Sequence, residues 1–199
     1  MLEIATMATW VTDVQHLVPQ SVKDAPAAAK RRAAFTREVV EAATCRVCNE
    51  PWISAVPCVA RVGRRLCRGR IRIVSSTLES IEWCCTHCPE NGLITGHVGT
   101  TSDLSAYAPE GELVCWGIDD TERDFLREYT ADTFKLRGIV ARARPHADVP
   151  GLLLINATME ELDEMYTLVE ELTDIMTGRR KRELLDGLRA SLCTSMDGF

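Results

Sequence analysis

The chain of 199 residues lacks the patterns that identify most enzymes and membrane proteins. No stretch approaches the roughly 18 consecutive apolar residues that a membrane-spanning helix requires. The sequence has no His-Glu pair, no glycine-rich phosphate loop and no nucleophile elbow. Internal repeats and low-complexity tracts are absent as well. We therefore expect a protein that does not enter a membrane, has no small-molecule substrate and is not an enzyme.

The first residues also lack the features of a signal peptide. Residues 1–5 contain no basic region and are not followed by a long apolar region. We therefore expect the protein to be cytoplasmic, where thiols stay reduced and clustered cysteines more often bind metal than form disulfides. The nine cysteines fit this expectation, because an odd number leaves at least one thiol unpaired in the monomer.

The charge is distributed unevenly along the chain. The net charge is −6, and hydrophobic residues make up 46%, as in an ordinary folded protein with a buried core. Residues 1–75 carry 12 Lys and Arg against 6 Asp and Glu, whereas residues 76–199 carry 11 against 23. The balances are therefore +6 and −12, which gives a basic first part and an acidic second part.

The local patterns predict an α+β fold that begins with a helix. The alanine-rich stretch Ala27–Thr44 is helical, with Asp24 as its cap and Pro26 in its first turn. Its buried stripe falls at i, i+4 and i+8, which are Phe35, Val39 and Ala43. The residues around Trp10 fit either a strand or a short helix.

A small antiparallel β unit follows, in which Val56–Val59 leads into a turn at residues 61–64. Three short strands come next: Ile71–Val74, Ser80–Trp83 and Gly92–Val98. Residues 99–111 form a linker. Three short strands bury little apolar area, so a metal cross-link would contribute much to their stability.

The C-terminal part predicts the order β-α-β-β-α-α. Its strands are Glu112–Ile118, Leu136–Ala143 and Leu152–Asn156. Asp119 or Asp120 caps the first helix, and the capping box from Thr158 to Glu161 starts the next one. The predicted domains are thus an N-terminal helical segment (1–50), a zinc-ribbon-like β domain (51–105) and an acidic α/β domain (106–199).

Two tight groups of cysteines point to a zinc site. Cys85 and Cys88 have the Cys-x-x-Cys spacing that lets two thiolates reach one tetrahedral ion. The other two ligands are either Cys45 and Cys48 or Cys58 and Cys67. The second pair is favoured, because antiparallel pairing of the strands at 71–74 and 80–83 brings Cys67 near Cys85.

The cysteines and the residues around them also resemble a sequence pattern of known proteins. The run from Cys58 through Cys67-Arg68-Gly69-Arg70-Ile71, followed by Ile81-Glu82-Trp83-x-Cys85-x-x-Cys88, resembles small uncharacterised bacterial zinc-ribbon-like proteins. Their signature is C-x8-C-x-G-x-I followed by I-E-W-x-C-x-x-C, and the resemblance covers about residues 52–105. It implies that Cys58, Cys67, Cys85 and Cys88 bind the metal and that Cys84 does not. It implies no activity. Pro89-Glu90 stands where those proteins usually have glycine, and the pair Cys45 and Cys48 is additional.

The remaining cysteines and histidines are assigned other roles. Cys115 and Cys193 are expected to be small buried apolar residues. His87 and His97 are expected to be surface or packing residues, with His97 as an alternative to one of the thiolates.

The function predicted from this pattern is non-catalytic binding around a structural Zn²⁺ ion. In one version, a basic stretch contacts the phosphates of nucleic acid. Its arginines are Arg61, Arg64, Arg65, Arg68, Arg70 and Arg72. Trp52 or Trp83 would then offer a stacking face for a base.

In the alternative version, the zinc ribbon is purely structural and the chain binds a protein partner or a second copy of itself. A Cys-x-x-Cys redox enzyme is the third and weakest hypothesis. A reactive pair usually opens a helix, whereas one pair here follows a helix and the other follows a strand.

Overall fold

The computed structural model describes residues 9–16, 24–46 and 50–197. These residues divide into two compact units, 1–106 and 107–199. The described residues contain both helices and β-sheets, which confirms the predicted α+β class. The division into three parts at residues 50 and 105 stays a prediction. No helix in the described ranges is long and apolar enough to cross a membrane.

Helix α1 of the first unit spans Ala27–Thr44, as its alanine-rich sequence predicts. The predicted stripe of Phe35, Val39 and Ala43 is buried. The predicted cap is wrong, because Pro26 occupies the N-cap position and no side chain caps the helix. Asp24 lies two positions too early to accept a hydrogen bond from the amides of the first turn.

The first unit contains seven strands among its described residues. In chain order they are β1 (Thr9–Asp13), β2 (Trp52–Pro57), β3 (Arg61–Val62), β4 (Arg65–Leu66), β5 (Arg70–Ser76), β6 (Ser80–Cys85) and β7 (Asn91–Thr95). Five of them form one sheet in the order β1-β7-β6-β5-β2, and β3 pairs with β4 in a separate hairpin. All pairings in the sheet are antiparallel except that of β1 with β7.

This sheet contains the three strands that the sequence predicts and two more at its edges. Strands β5, β6 and β7 lie at the predicted positions. The stretch Val56–Val59, which was expected to lead into a turn, begins within the edge strand β2 at Trp52–Pro57. Of the two alternatives for the residues around Trp10, the structure has a strand, which is followed by a short 3-10 turn at Val14–His16.

The core of the first unit lies between α1 and the sheet. Phe35 of α1 meets Trp83 of β6 edge to face, with the ring centroids 5.2 Å apart. Every second residue of β6 is buried on this face, namely Ile81, Trp83 and Cys85. Cys85, the last residue on the buried face of β6, therefore has its sulfur at the edge of the core.

The second unit combines a three-stranded sheet with four helices among its described residues. Its elements are β8 (Val114–Asp119), α2 (Asp120–Tyr129), α3 (Phe134–Ala141), β9 (Arg144–Pro145), β10 (Leu152–Ala157), α4 (Met159–Ile175) and α5 (Arg179–Asp197). The sheet order is β8-β10-β9, and both pairings are antiparallel.

One predicted strand of this unit is wrong. Residues 134–141 form helix α3 where a strand at Leu136–Ala143 was expected. Leu136, Ile139 and Val140 are buried at the spacing of three and four residues that a helix face requires. The β-branched pair at 139–140 favours a strand locally, but burial of this helical face decides the structure. The order is therefore β-α-α-β-β-α-α.

Predicted helix starts in the second unit are confirmed. Asp119 and Glu122 form a capping box at α2, and Thr158 and Glu161 form another at α4. The apolar stripe of α4 is buried at Leu162, Met165, Val169 and Leu172. Trp116 of β8 is fully buried, and its indole nitrogen donates to the Ser191 hydroxyl over 2.9 Å.

Candidate metal centre

Four cysteines of the first unit lie close together. Cys58 and Cys67 belong to the first cysteine loop, on either side of the β3–β4 hairpin, and Cys85 and Cys88 belong to the second, between β6 and β7. Cys58 directly follows β2, Cys67 follows β4, Cys85 ends β6, and Cys88 lies in the loop before β7. Their sulfur atoms all lie within 4.8 Å of one another. The structure therefore brings together the four cysteines that the sequence favours, and they can hold one metal ion.

The spacing of the sulfurs fits a tetrahedral ion. The Cys58 and Cys88 sulfurs are 3.7 Å apart, and those of Cys67 and Cys85 are 3.6 Å apart. Zinc–sulfur bonds of about 2.3 Å in a tetrahedron place the sulfurs about 3.8 Å from one another. All four are free cysteines. These two distances therefore fit a tetrahedral ion with four thiolate ligands.

Backbone amides surround the sulfurs in a repeated pattern. Each sulfur accepts a hydrogen bond from the amide two residues later in the chain. The pairs are Ala60 to Cys58 (3.5 Å), Gly69 to Cys67 (3.3 Å), His87 to Cys85 (3.3 Å) and Glu90 to Cys88. Such amides stabilise negative charge on sulfur and orient the ligands of a metal.

Backbone pairing between and within the two loops fixes the cysteines in place. The Cys67 amide donates to the Ala60 carbonyl over 2.8 Å, and the Cys85 amide donates to the Glu90 carbonyl over 2.8 Å. Cys58 is joined to the other half of its own loop by a 2.9 Å bond to the Gly69 carbonyl. The predicted antiparallel pairing of β5 with β6 is confirmed, and Ile71 lies opposite Cys85.

Gly69 is the residue that lets the two loops approach. A Cβ atom at this position would lie 2.4 Å from the Cys85 sulfur and 2.8 Å from the His87 Cβ. Real Cβ atoms essentially never come so close, so any other residue would displace the Cys85 loop. Gly69 is therefore part of the centre although it supplies no side chain.

The thiols of the centre do not ionise alike. Burial raises the pKa of Cys58 and of Cys88, so both carry a proton at neutral pH when no cation is bound. At Cys85 burial also opposes ionisation, but hydrogen bonds from the amides of Cys88 and His87 outweigh it and lower its pKa. A bound cation would replace the protons on Cys58 and Cys88.

The other described cysteines lie outside the cluster. Cys84 is on the opposite face of β6, where the resemblance places a residue that binds no metal. Cys45 is buried, and its thiol lies 3.5 Å from the Ala42 carbonyl, to which it donates. Cys48 lies outside the described residues, so the alternative pair of Cys45 and Cys48 stays a prediction.

Cys115 and Cys193 differ from the expectation that both are buried. Cys115 is exposed, because β8 buries the alternate residues Val114, Trp116 and Ile118 instead. Cys193 is half-buried.

The histidines are not part of the cluster either. His87 is exposed in the Cys85–Cys88 loop, and only its amide contacts a sulfur. His97 is buried and does not join the four sulfurs, so it does not replace a thiolate. Burial lowers the pKa of His97, and neighbouring Asp103 opposes that shift.

The predicted basic stretch is largely exposed. Arg61, Arg64 and Arg65 lie on the β3–β4 hairpin, and Arg68 follows Cys67; all four are exposed. We refer to residues 61–66 as the arginine hairpin. Among the described residues, neither Arg64, Arg65, Arg68 nor the exposed Arg72 of β5 forms an ion pair with an acidic side chain.

Arg70 differs from the other arginines of the stretch. It is half-buried, and its guanidinium donates to the Ala55 carbonyl over 2.6 Å, so it joins β5 to β2. Trp83 is buried in the core and presents no stacking face. Trp52 is half-buried beneath the Arg46 guanidinium, which lies 4.5 Å from the ring centroid. Neither tryptophan is therefore well placed to stack on a base, as the predicted nucleic-acid surface requires.

The sequence signals identify the cysteines but not the amides that support them. Ala60 and Glu90 contact the sulfurs only through their backbone amides, so their side chains carry no mark of this role. Their common position, two residues after a cysteine, is the one signal that sequence offers. The chain matches no family model, no curated protein and no solved structure.

Proposed function

We propose that the protein binds one Zn²⁺ ion through Cys58, Cys67, Cys85 and Cys88 and uses it for structure rather than catalysis. The observation that supports this most is the set of four sulfurs within 4.8 Å of one another, each with an amide donor two residues later. Four thiolates fill the coordination of zinc and leave no position for water or substrate. Catalysis at the metal is therefore not part of the proposal.

The ion would act as a cross-link at the end of the sheet. It would join the residue after β2, the residue after β4, the end of β6 and the loop before β7. The β3–β4 hairpin has only two residues in each strand and all of its side chains are exposed, so it has no core of its own. Its orientation would depend on Cys58 and Cys67 at its two ends.

We further propose that this hairpin is a binding element for nucleic-acid phosphates. Its support is a group of exposed arginines without acidic partners in the described residues, next to a rigid metal centre. Arginine is suited to phosphate because its guanidinium forms paired hydrogen bonds and stays charged at all physiological pH values. We propose a cytoplasmic location, where thiols stay reduced and clustered cysteines more often bind metal than form disulfides.

The metal is tested by elemental analysis of purified variants. C58S/C67S and C85S/C88S should each lose the zinc that the wild-type chain holds at one ion per chain. The matched control is C84S/C115S, which removes two thiols outside the cluster and should keep the metal. Loss of zinc in C45S/C48S with retention in C58S/C67S would show that the ligand set is wrong.

The binding role is tested by fluorescence anisotropy with labelled oligonucleotides at low and at physiological salt. Wild-type protein should bind, with an affinity that falls steeply as salt increases. R64A/R65A/R68A should lose most of this affinity and keep its zinc. R179A/R180A/R182A removes the same charge from the exposed start of α5 and should bind as the wild type does. If no oligonucleotide binds and the chain self-associates, the protein-interaction alternative replaces this proposal.

A further inference from the structure

The arginine hairpin is a projecting two-stranded ribbon rather than a flat basic patch. All six residues from Arg61 to Leu66 are exposed, so neither face of the hairpin is covered by the rest of its unit. Its base is closed by the hydrogen bond from the Cys67 amide to the Ala60 carbonyl. Gly63 lies at the tip with φ 64°, a conformation that favours glycine and allows the tight turn.

Each face of this ribbon carries one cation and one apolar side chain. Arg61 lies opposite Leu66, and Val62 lies opposite Arg65. Residues directly opposite in an antiparallel pair point to the same side, and neighbours along a strand point to opposite sides. The two faces therefore present Arg61 with Leu66 and Arg65 with Val62. Arg64 adds a third cation at the tip.

If the arginine hairpin met phosphates on one side only, we would expect its arginines on one face. Cations on both faces and at the tip fit a cleft with phosphates along both walls. The exposed Val62 and Leu66 fit apolar groups between those walls, such as the thymine methyl group, which lies in the major groove of DNA. The major groove of B-form DNA has this combination of features.

The dimensions agree with this cleft. The two strands of a hairpin lie about 4.8 Å apart, and three residues beyond the closed base extend about 10 Å. The major groove of B-DNA is about 12 Å wide and about 8.5 Å deep and admits a two-stranded ribbon, whereas the minor groove is about 6 Å wide. The major groove of A-form RNA is deep and too narrow for protein side chains to enter.

We infer that the arginine hairpin inserts into the major groove of double-stranded DNA, with Arg61 and Arg65 directed at the phosphates of opposite walls. This inference rests on the proposed function, since it assigns the phosphate contacts of that proposal to one class of nucleic acid and one groove. The metal centre holds the base of the hairpin through Cys58 and Cys67.

The test compares four ligands of the same length and sequence on the zinc-loaded full chain by anisotropy. They are duplex DNA, duplex RNA, single-stranded DNA and duplex DNA with methyl green bound in the major groove. We expect duplex DNA to bind at least about tenfold more tightly than the other three. Prior occupation of the minor groove by netropsin should leave binding unchanged.

Two variants separate the charges from the apolar contacts. R61A/R65A should reduce the salt slope of log affinity by about 1.8, since each phosphate contact in B-DNA contributes about 0.9. V62S/L66S should keep that slope but bind duplex DNA more weakly, because it loses the apolar contacts with groups such as the thymine methyl. R180A/R182A is the matched charge control and should behave as the wild type does. All these positions are exposed, so zinc content serves as the check that each variant is folded.

The outcomes distinguish the two proposals. Equal, arginine-dependent binding to duplex RNA and duplex DNA, or binding that netropsin blocks and methyl green does not, overturns insertion into the major groove and leaves phosphate contact standing. No binding to any nucleic acid at low salt overturns both. A zinc-loaded chain that binds acidic proteins but no DNA assigns the hairpin to a protein partner and likewise overturns the inference.

Discussion

Gly69 shows how a residue without a side chain decides the geometry of a metal site. Its Cα lies so close to the second cysteine loop that a methyl group would overlap the Cys85 sulfur. Its amide donates to Cys67 and its carbonyl accepts from Cys58, so three of the four ligands depend on this one position.

Replacing Gly69 by alanine should therefore weaken metal binding. We expect G69A to lower the affinity for zinc by about 10- to 100-fold, the range for residues that orient metal ligands. Competition with a chromophoric chelator measures this affinity. G138A is the control, since its Cβ would meet the nearest atom at an ordinary 3.6 Å in helix α3. G138A should keep the wild-type affinity and gain about 0.5–1 kcal/mol of stability. An unchanged affinity in G69A would contradict the close approach of the loops.

At the scale of single elements, the ends of α3 and α4 are joined by a buried ion pair. Arg142, the C-cap residue of α3, donates to Glu161 in the first turn of α4 over 2.6 Å. Their side chains are only 3% and 6% exposed. Glu161 also accepts from the Thr158 amide in the capping box. One carboxylate thus both starts α4 and holds it to α3.

Removing the positive partner of this pair should destabilise the protein strongly. R142M leaves Glu161 buried without its cation, and we expect a loss of about 3–5 kcal/mol in the free energy of unfolding. The control K135M removes a half-buried partner of Glu160 and Glu164 at the protein surface and should cost about 0–1 kcal/mol. Urea unfolding followed by circular dichroism measures both. Equal losses in the two variants would show that burial does not strengthen the first pair.

Elements whose signals are local could be predicted from the sequence. The pairing of β5 with β6 follows from two alternating segments close together in the chain, and it correctly placed Cys67 beside Cys85. The capping box at Thr158 is a short pattern with one structural meaning.

Elements that depend on distant contacts could not be predicted in this way. The parallel pairing of β1 with β7 joins Thr9 to Asn91, and no turn between neighbouring strands predicts it. The sequence predicts a strand at Leu136–Ala143, and Ile139 and Val140 do favour strands, but the burial pattern of helix α3 is set by the rest of the second unit. The sulfur–amide pattern of the metal centre depends on backbone atoms, which side-chain identities do not reveal.

At the scale of the whole molecule, the metal centre belongs to one of two compact units. The second unit has its own core around Trp116, Leu153 and Leu162, with none of the four clustered cysteines in it. Metal binding should therefore stabilise the first unit selectively.

Removing the metal from the full chain should expose this difference. With excess chelator, backbone amides of β5, β6 and β7 should lose protection against hydrogen exchange, whereas those of β8 and β10 should keep theirs. Mass spectrometry of peptic fragments measures both sets in one sample. The same chain without chelator gives the matched control with the metal retained. Equal loss of protection in both units would contradict a local structural role for the ion.

The pairing of β1 with β7 also affects the order in which the first unit assembles on the ribosome. Thr9 is synthesised before its partner Asn91, which follows only after α1, both cysteine pairs and the strands between them. Contacts so far apart in sequence are slow to form, because a long loop has to close first. Strand β1 is therefore synthesised before its partner but is among the last strands of this sheet to be placed, and until then β7 is left as an open edge of the sheet.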